Sequence, residues 1–326
     1  MSNFQYAKPA SIEQVTSFLA KGKANVFLMA GGTDLLGEIK EGIIVPDVVV
    51  DLRAIPNLSY IKKEKDGVAI GAVTAVAEVA ENPIVRQDYP VLHQAAGVVA
   101  SPQLRNMGTV GGNLCQRPRC WYFRDGQILC TKKGGTKCYA ENGRNKYHAI
   151  LGGGICFAVY PSDLAPALIA LDAKIVIASP QGERTVPLAE FYTPPLVNVR
   201  KENILSEQEV VKEVRIPAVK RSDKSAYLKF TERGAWDFAV VSVAAKGTIS
   251  GSTIEDIRIV CGGVAPMPWR LRKAEDLIKG RRASDTLIRQ AAKAALADAK
   301  PLEENGYKVD LLETVLVRAV GSLIKA

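Results

Sequence analysis

Residues 26–36 read VFLMAGGTDLL, an apolar run with the pattern of a buried strand that passes directly into two glycines, a threonine and an aspartate. Glycine has no Cβ, so the backbone here can approach an anion closely and point successive N–H groups at it, as phosphate-cradling nests do. A tight turn after a strand has the same signature. A second loop of the same kind, GTVGGN at 108–113, tips the reading, because two such loops in one chain favour a diphosphate ligand. Neither loop has the GxGxxG spacing, and no acidic residue is evident at the ribose position about 20 residues on. This leaves a dinucleotide held in some other fold open.

Working outward, residues 11–56 pattern as a βαβ-like unit. SIEQVTSFLAKG places Ser11 as an N-cap, Ile12, Val15, Phe18 and Leu19 on one helical face, and Gly22 near the helix end. IIVPDVVVDL supplies another strand region, and a turn at Asp66-Gly67 joins two further strand-like runs before helical segments lead toward Ala100. PSDLAPALIALDAKIVIAS reads as a helix opening at Ser162-Asp163 and leading into a strand; there Ser162 suits a ligand contact or a simple cap equally. Pro217 and the charged stretch after it mark a boundary. Beyond it lie three strand-like runs, then helices at 284–299 and after Asp310, where Asp310 and Glu313 have capping-box spacing.

A chain of 326 residues exceeds what one core usually holds, so two or three sub-domains are expected. Of the net charge of +9, the stretch from Arg119 to His148 supplies +5, which argues for one charged surface and against a general nucleic-acid binder. The apolar region 150–178 is interrupted by Pro161, Asp163, Pro166 and Asp172 and reads as core, not as a membrane span. The opening MSNFQYAKPASIEQV has no basic region followed by an apolar one, so no secretion signal is expected.

The cysteines run Cys115-x4-Cys120-x9-Cys130-x7-Cys138-x17-Cys156, with Cys261 far away. Without a secretion signal, disulfides are disfavoured and metal or cluster ligation gains weight. Structural zinc usually uses paired C-x2-4-C knuckles, and only Cys115 and Cys120 approach that spacing. An iron–sulfur cluster accepts widely spaced thiolates if a loop folds around it. Cys115 reads as a free or buried thiol and Cys261 as a small core residue. Arg119, Arg124, Lys132, Lys133 and Lys137 offset the charge of a cluster, form a docking surface for an acidic partner, or are simply solvated. Trp121 and Tyr122 shield a cluster or pack the loop, and neither His93 nor His148 reads as catalytic.

MAGGTDLL, GTVGGNL, PSDLAPALIALDA and LKFTERGAWDFAVVSVA, in that order, resemble the FAD-binding medium subunit of the xanthine dehydrogenase family of molybdenum hydroxylases, over essentially the whole chain. The resemblance implies an α+β fold: a two-part FAD-binding domain of the vanillyl-alcohol-oxidase type (1–56 and 57–217), then a smaller α+β domain (218–326) with a three-stranded antiparallel sheet and helices, as in carbon monoxide dehydrogenase flavoproteins. By position it implies that Leu28, Met29, Ala30, Gly31, Gly32, Thr33, Asp34 and Leu35 hold the FAD diphosphate and that Gly108, Thr109, Gly112 and Asn113 add hydrogen bonds. Ser162 and Asp163 would contact the adenosine side, Leu205 would belong to the same cofactor set, and Lys229 would lie near the flavin ring. A cation there favours the negative charge that develops at N1 and O2 on reduction.

The chain further resembles the [4Fe-4S]-containing type, typified by periplasmic aldehyde oxidoreductase and 4-hydroxybenzoyl-CoA reductase. That resemblance implies a cluster-binding insertion at about 115–156 with Cys120, Cys130, Cys138 and Cys156 as ligands. The implied partners are a large molybdenum-cofactor subunit, a small subunit with two [2Fe-2S] clusters, and ferredoxin, NAD or a quinone as external carrier. The chain would be an oxidoreductase subunit, incomplete alone, passing electrons through FAD. It would be cytoplasmic, or periplasmic if exported with a partner that carries the signal. A self-sufficient flavin oxidase or dehydrogenase and a zinc-stabilised interaction protein are the rival readings.

Overall fold

A computed structural model describes residues 3–20 and 25–325, so Gly22 lies outside the described residues. The first layer is a three-stranded parallel sheet of β1 (Gln5–Ala7), β2 (Val26–Met29) and β3 (Val48–Asp51), in the order β1-β3-β2. The helix Ile12–Ala20 links the first two strands, with Ser11 Oγ accepting from Gln14 N at 3.3 Å as its cap. Val15 seals it against Val50, Leu52 and Ile55. The sequence reading began at residue 11 and missed β1, whose three residues are too few to show an alternation.

Next comes a five-stranded antiparallel sheet of β4 (Ile61–Glu64), β5 (Gly67–Gly71), β6 (Lys174–Ser179), β7 (Gly182–Pro187) and β8 (Val210–Pro217), ordered β4-β5-β8-β6-β7. Gly67 opens β5 at φ +149, where a Cβ would meet Ile216 O at 1.9 Å, so the turn at Asp66-Gly67 needs glycine twice over. Helices Pro83–Asp88, Pro90–Gly97 and Pro102–Met107 each begin on a proline, which costs little at the first helical position and forbids continuation from the preceding helix. The helix Leu164–Ala170 is buried at every position, which accounts for an apolar run with no polar face. It carries Ser162 and Asp163 into the interior at its start.

The third sheet is built on β9 (Asp223–Phe230), β10 (Val241–Ser250) and β11 (Thr253–Gly262), all antiparallel. Two further strands, β12 (Trp269–Arg270) and β13 (Arg281–Arg282), pair with β11 and make it five-stranded where three strands were expected. Two-residue strands carry no periodicity to read. Helices Arg272–Ile278, Asp285–Leu296 and Tyr307–Lys325 cover it and share a core with Val243, Ile257 and Ile259. Ser284 caps the second of these, its hydroxyl accepting from Leu287 N at 3.2 Å. The last helix starts three residues before Asp310, so Asp310 sits inside its first turn and is not the cap.

After the helix Val110–Cys115, residues 116–156 contain only the one-turn helix Trp121–Arg124 and the 3-10 turn Thr131–Lys133. The distal part of this segment is pinned from the C-terminal side. Asn145 and Glu304 bond reciprocally, with Asn145 N donating at 2.7 Å and Asn145 Oδ1 accepting from Glu304 N at 2.9 Å. The buried Lys308 ammonium donates to the carbonyls of Tyr147, His148 and Gly263, which takes up all three of its protons. Among the described residues no helix is long and apolar enough to cross a membrane.

Candidate functional site

Every residue from Leu28 to Leu35 lines a cleft of about 990 Å³, whose other walls include Gly108, Thr109, Gly112, Asn113 and Asp163. The chain leaves β2, turns at Gly32 with φ +72, and re-enters helix at Leu35. A Cβ on Gly31 would stand 1.8 Å from Met107 O, so the glycine loop is pressed directly onto the end of the helix Pro102–Met107. Among the described residues, no acceptor in the chain takes the N–H groups of Gly31, Gly32 and Thr33. Unpaired donors on residues that line an open cleft are what an anion nest requires.

The second glycine loop works differently. Val110 N and Gly111 N donate to Thr74 O and Ala72 O at 2.9 and 2.8 Å, and Gly112 N donates to Thr109 Oγ1 at 3.2 Å. Its amides are committed to the fold, so it forms a wall and not a second nest. Asn113 reaches Ser162, whose hydroxyl donates to Asn113 Oδ1 at 2.5 Å and accepts from Ala165 N at 3.0 Å. Ser162 lines a neighbouring cavity of about 430 Å³ instead of the cleft itself. Leu205 lines neither cavity and packs against the main hydrophobic core.

Lys229 is not a surface lysine. Its side chain is 5% exposed and its ammonium lies 2.8 Å from Asp163 Oδ2, with further bonds to Val98 O and Asp237 O. Asp163 also accepts from Tyr227 OH at 2.7 Å. Burial pushes the Asp163 carboxyl up from its usual range, and Lys229 is the charge that opposes this. Lys229→Met is therefore expected to strand a buried carboxylate and cost about 3–5 kcal/mol in urea unfolding. A loss below about 1 kcal/mol would show that Asp163 is uncharged in the fold.

Two of the five loop cysteines, Cys138 and Cys156, interact directly, and Cys115 stands apart from them. Cys138 and Cys156 share a thiol–thiol hydrogen bond, which lowers the pKa of Cys138 and raises that of Cys156. Burial raises Cys120 to about 11, and the charges of Cys138 and Cys130 add to that rise, so these sulfurs lie within electrostatic reach of one another. Cys115 instead lines the cleft, and burial pushes it to about 12. Cys261 is fully buried on β11. Among the described residues, no three His, Cys, Asp or Glu side chains stand together as a ready site for a metal ion, whether zinc or iron.

Sequence reasoning missed the neighbour of Cys120. His148 Nε2 lies 3.2 Å from Cys120 Sγ, and its ring packs edge-on to Trp121 with centroids 5.2 Å apart. Burial lowers His148 to about 4, so it is neutral at pH 7.

The basic residues of the loop correct another expectation. Arg119 Nη1 lies 3.0 Å and Arg124 Nη2 2.6 Å from Asp34 Oδ1, while Arg117 N donates to Asp34 Oδ2 at 2.7 Å. Arg124 also faces the buried Glu38, and Glu202 receives Arg117 and Lys132. Arg119 and Arg124 thus face inward and bolt the cysteine loop to the glycine loop, and Lys132 ties it to Glu202, leaving little of the expected docking surface beyond Lys137 and the residues near it.

A family model for the FAD binding domain in molybdopterin dehydrogenase matches residues 2–129 and 139–219, and one for the CO dehydrogenase flavoprotein C-terminal domain matches residues 226–323. The chain belongs to the FAD-binding medium subunits of the molybdenum hydroxylase family. The first two sheets of this medium subunit make up its two-part FAD-binding domain, and the third belongs to its C-terminal domain. The match to the FAD-binding model breaks at 130–138, inside the cysteine loop.

This medium subunit is 37% identical over 293 residues to the aldehyde oxidoreductase FAD-binding subunit PaoB of Escherichia coli, covering 88% of each chain. It is 28% identical to the carbon monoxide dehydrogenase medium chain of Hydrogenophaga pseudoflava, over 98% of this chain and 96% of that one. The solved structure of carbon monoxide dehydrogenase from the same organism superposes with a TM-score of 0.78 over 99% of this chain and 97% of that chain, at 28% identity. These relatives are FAD subunits of oxidoreductases and not complete enzymes alone, and the medium subunit is an oxidoreductase subunit of the same kind.

Proposed function

We propose that this chain carries electrons between the [2Fe-2S] clusters of a small partner subunit and an external carrier, through FAD in the cleft and a [4Fe-4S] cluster held by Cys120, Cys130, Cys138 and Cys156. A large partner subunit with the molybdenum cofactor would oxidise the substrate, an aldehyde being the class that the Escherichia coli relative's name points to. The observation that carries the reading is the nest of free N–H groups at Gly31, Gly32 and Thr33, which opens onto a cleft of about 990 Å³. In this reading the division at 1–56, 57–217 and 218–326 separates the two flavin-binding parts from the C-terminal domain.

FAD, when bound, exchanges electrons singly or in pairs. The chain's own part is to hold it. The nest seats the diphosphate, and the Asp163–Lys229 pair fixes a buried polar edge of the cleft. For the cluster, support comes from the direct interaction of Cys138 with Cys156 and from the break in the family match from Cys130 to Cys138. Ferredoxin, NAD or a quinone would serve as the external carrier.

Under anaerobic conditions the purified chain alone, given an aldehyde, is expected to keep its flavin absorption, and the assembled three-subunit complex to bleach it. Steady turnover by the single chain would replace this reading with that of a self-sufficient flavin oxidase or dehydrogenase.

A further inference from the structure

Of the cations that the cysteine loop carries, Arg117 and Arg119 line the cleft, whereas Arg124 and Lys132 do not. Four cations, Arg117, Arg119, Arg124 and Lys132, meet three carboxyl groups, Asp34, Glu38 and Glu202. One of the three is weakened as a counter-charge, because burial raises Glu38 above the usual carboxyl range. Asp34 Oδ1 is shared between two guanidinium groups, so neither is fully neutralised. Arg119 alone of these cations lines both the main cleft and the neighbouring cavity. Its position is fixed on three sides: Asp34 at 3.0 Å, the carbonyl of Arg117, and the ring of Phe238, whose centroid lies 5.3 Å from the guanidinium carbon.

Asp34 itself was assigned by resemblance to the diphosphate, yet a carboxylate repels an anion. Its geometry gives it a different task, which is to aim Arg119 and to tie the cysteine loop to the nest. We propose that Arg119 is an anion ligand of the flavin site, its guanidinium meeting the diphosphate that the N–H groups of Gly31, Gly32 and Thr33 cradle. This rests on the FAD reading above and extends it, since the residue next to Cys120 becomes part of the flavin site. Guanidinium suits a diphosphate because its planar donors match two phosphate oxygens at once.

The test uses the full chain stripped of flavin and titrated with FAD in low and high salt. Arg119→Gln is expected to raise the FAD dissociation constant about tenfold at 50 mM salt, with the deficit shrinking severalfold at 0.5 M as the charge contact is screened. Arg119→Lys keeps the charge and is expected to recover most of the affinity. An unchanged constant for Arg119→Gln, while the parent chain binds FAD, overturns the inference alone. A loss that is the same at both salt concentrations and not recovered by lysine overturns it too, because it would mark a loosened loop and not a lost charge. A parent chain that binds no FAD at either salt concentration sinks the flavin reading and the inference together.

Discussion

Gly31→Ala is expected to leave the purified chain with less than about a tenth of its flavin and to lower its stability by about 2–3 kcal/mol. The added methyl would lie 1.8 Å from the carbonyl oxygen of Met107 and 2.5 Å from its carbon. Both are backbone atoms at the end of a helix, so no rotamer change relieves the overlap, and β2 must part from that helix. The N–H groups of Gly31, Gly32 and Thr33 then lose their common focus, on which anion binding depends. Gly37→Ala is the control: it lies in the adjacent helix with nothing within 4 Å of its Cβ, and is expected to add about 0.5–1 kcal/mol. Flavin absorbance per chain and thermal unfolding check both. A Gly31→Ala chain that kept its flavin would move the diphosphate elsewhere.

The second large effect concerns iron. Serine at any one of positions 120, 130, 138 or 156 is expected to lower iron and acid-labile sulfide per chain by more than about half, since a cluster is held by all its thiolates together. Serine at 115 or 261 is expected to leave both counts unchanged. Cys115 faces the flavin cleft and Cys261 is enclosed in the core of the third sheet. Iron lost on changing Cys115 and kept on changing Cys156 would redraw the ligand set.

What could be read from residue order alone divides along a physical line. The junction of β2 with Gly31 and Gly32 was legible because an apolar run followed by a glycine turn is a local pattern, and so was the turn at Asp66-Gly67. Lys229 was not, because a lysine on a strand looks exposed until Asp163, 66 positions away, is seen to meet it. Arg124 read as a cluster, docking or solvated charge for the same reason, its partner Asp34 being 90 positions upstream. His148 comes to Cys120 across 28 residues of loop with almost no regular structure. Local propensity finds elements and turns, whereas pairs of charges are made by topology. The second glycine loop shows how alike residue types can differ in use: the amides of Val110, Gly111 and Gly112 are bonded within the fold, and a Cβ at 111 would come within 3.0 Å of Ala72.

The account stands or falls on whether one chain holds both groups. Anaerobically purified chain should be assayed for flavin, iron, zinc and acid-labile sulfide together. One FAD with about four irons and four sulfides, and no stoichiometric zinc, is the result this account predicts. Flavin with no iron, or stoichiometric zinc in its place, would contradict it and leave the cysteine loop a structural element of a simpler flavin subunit.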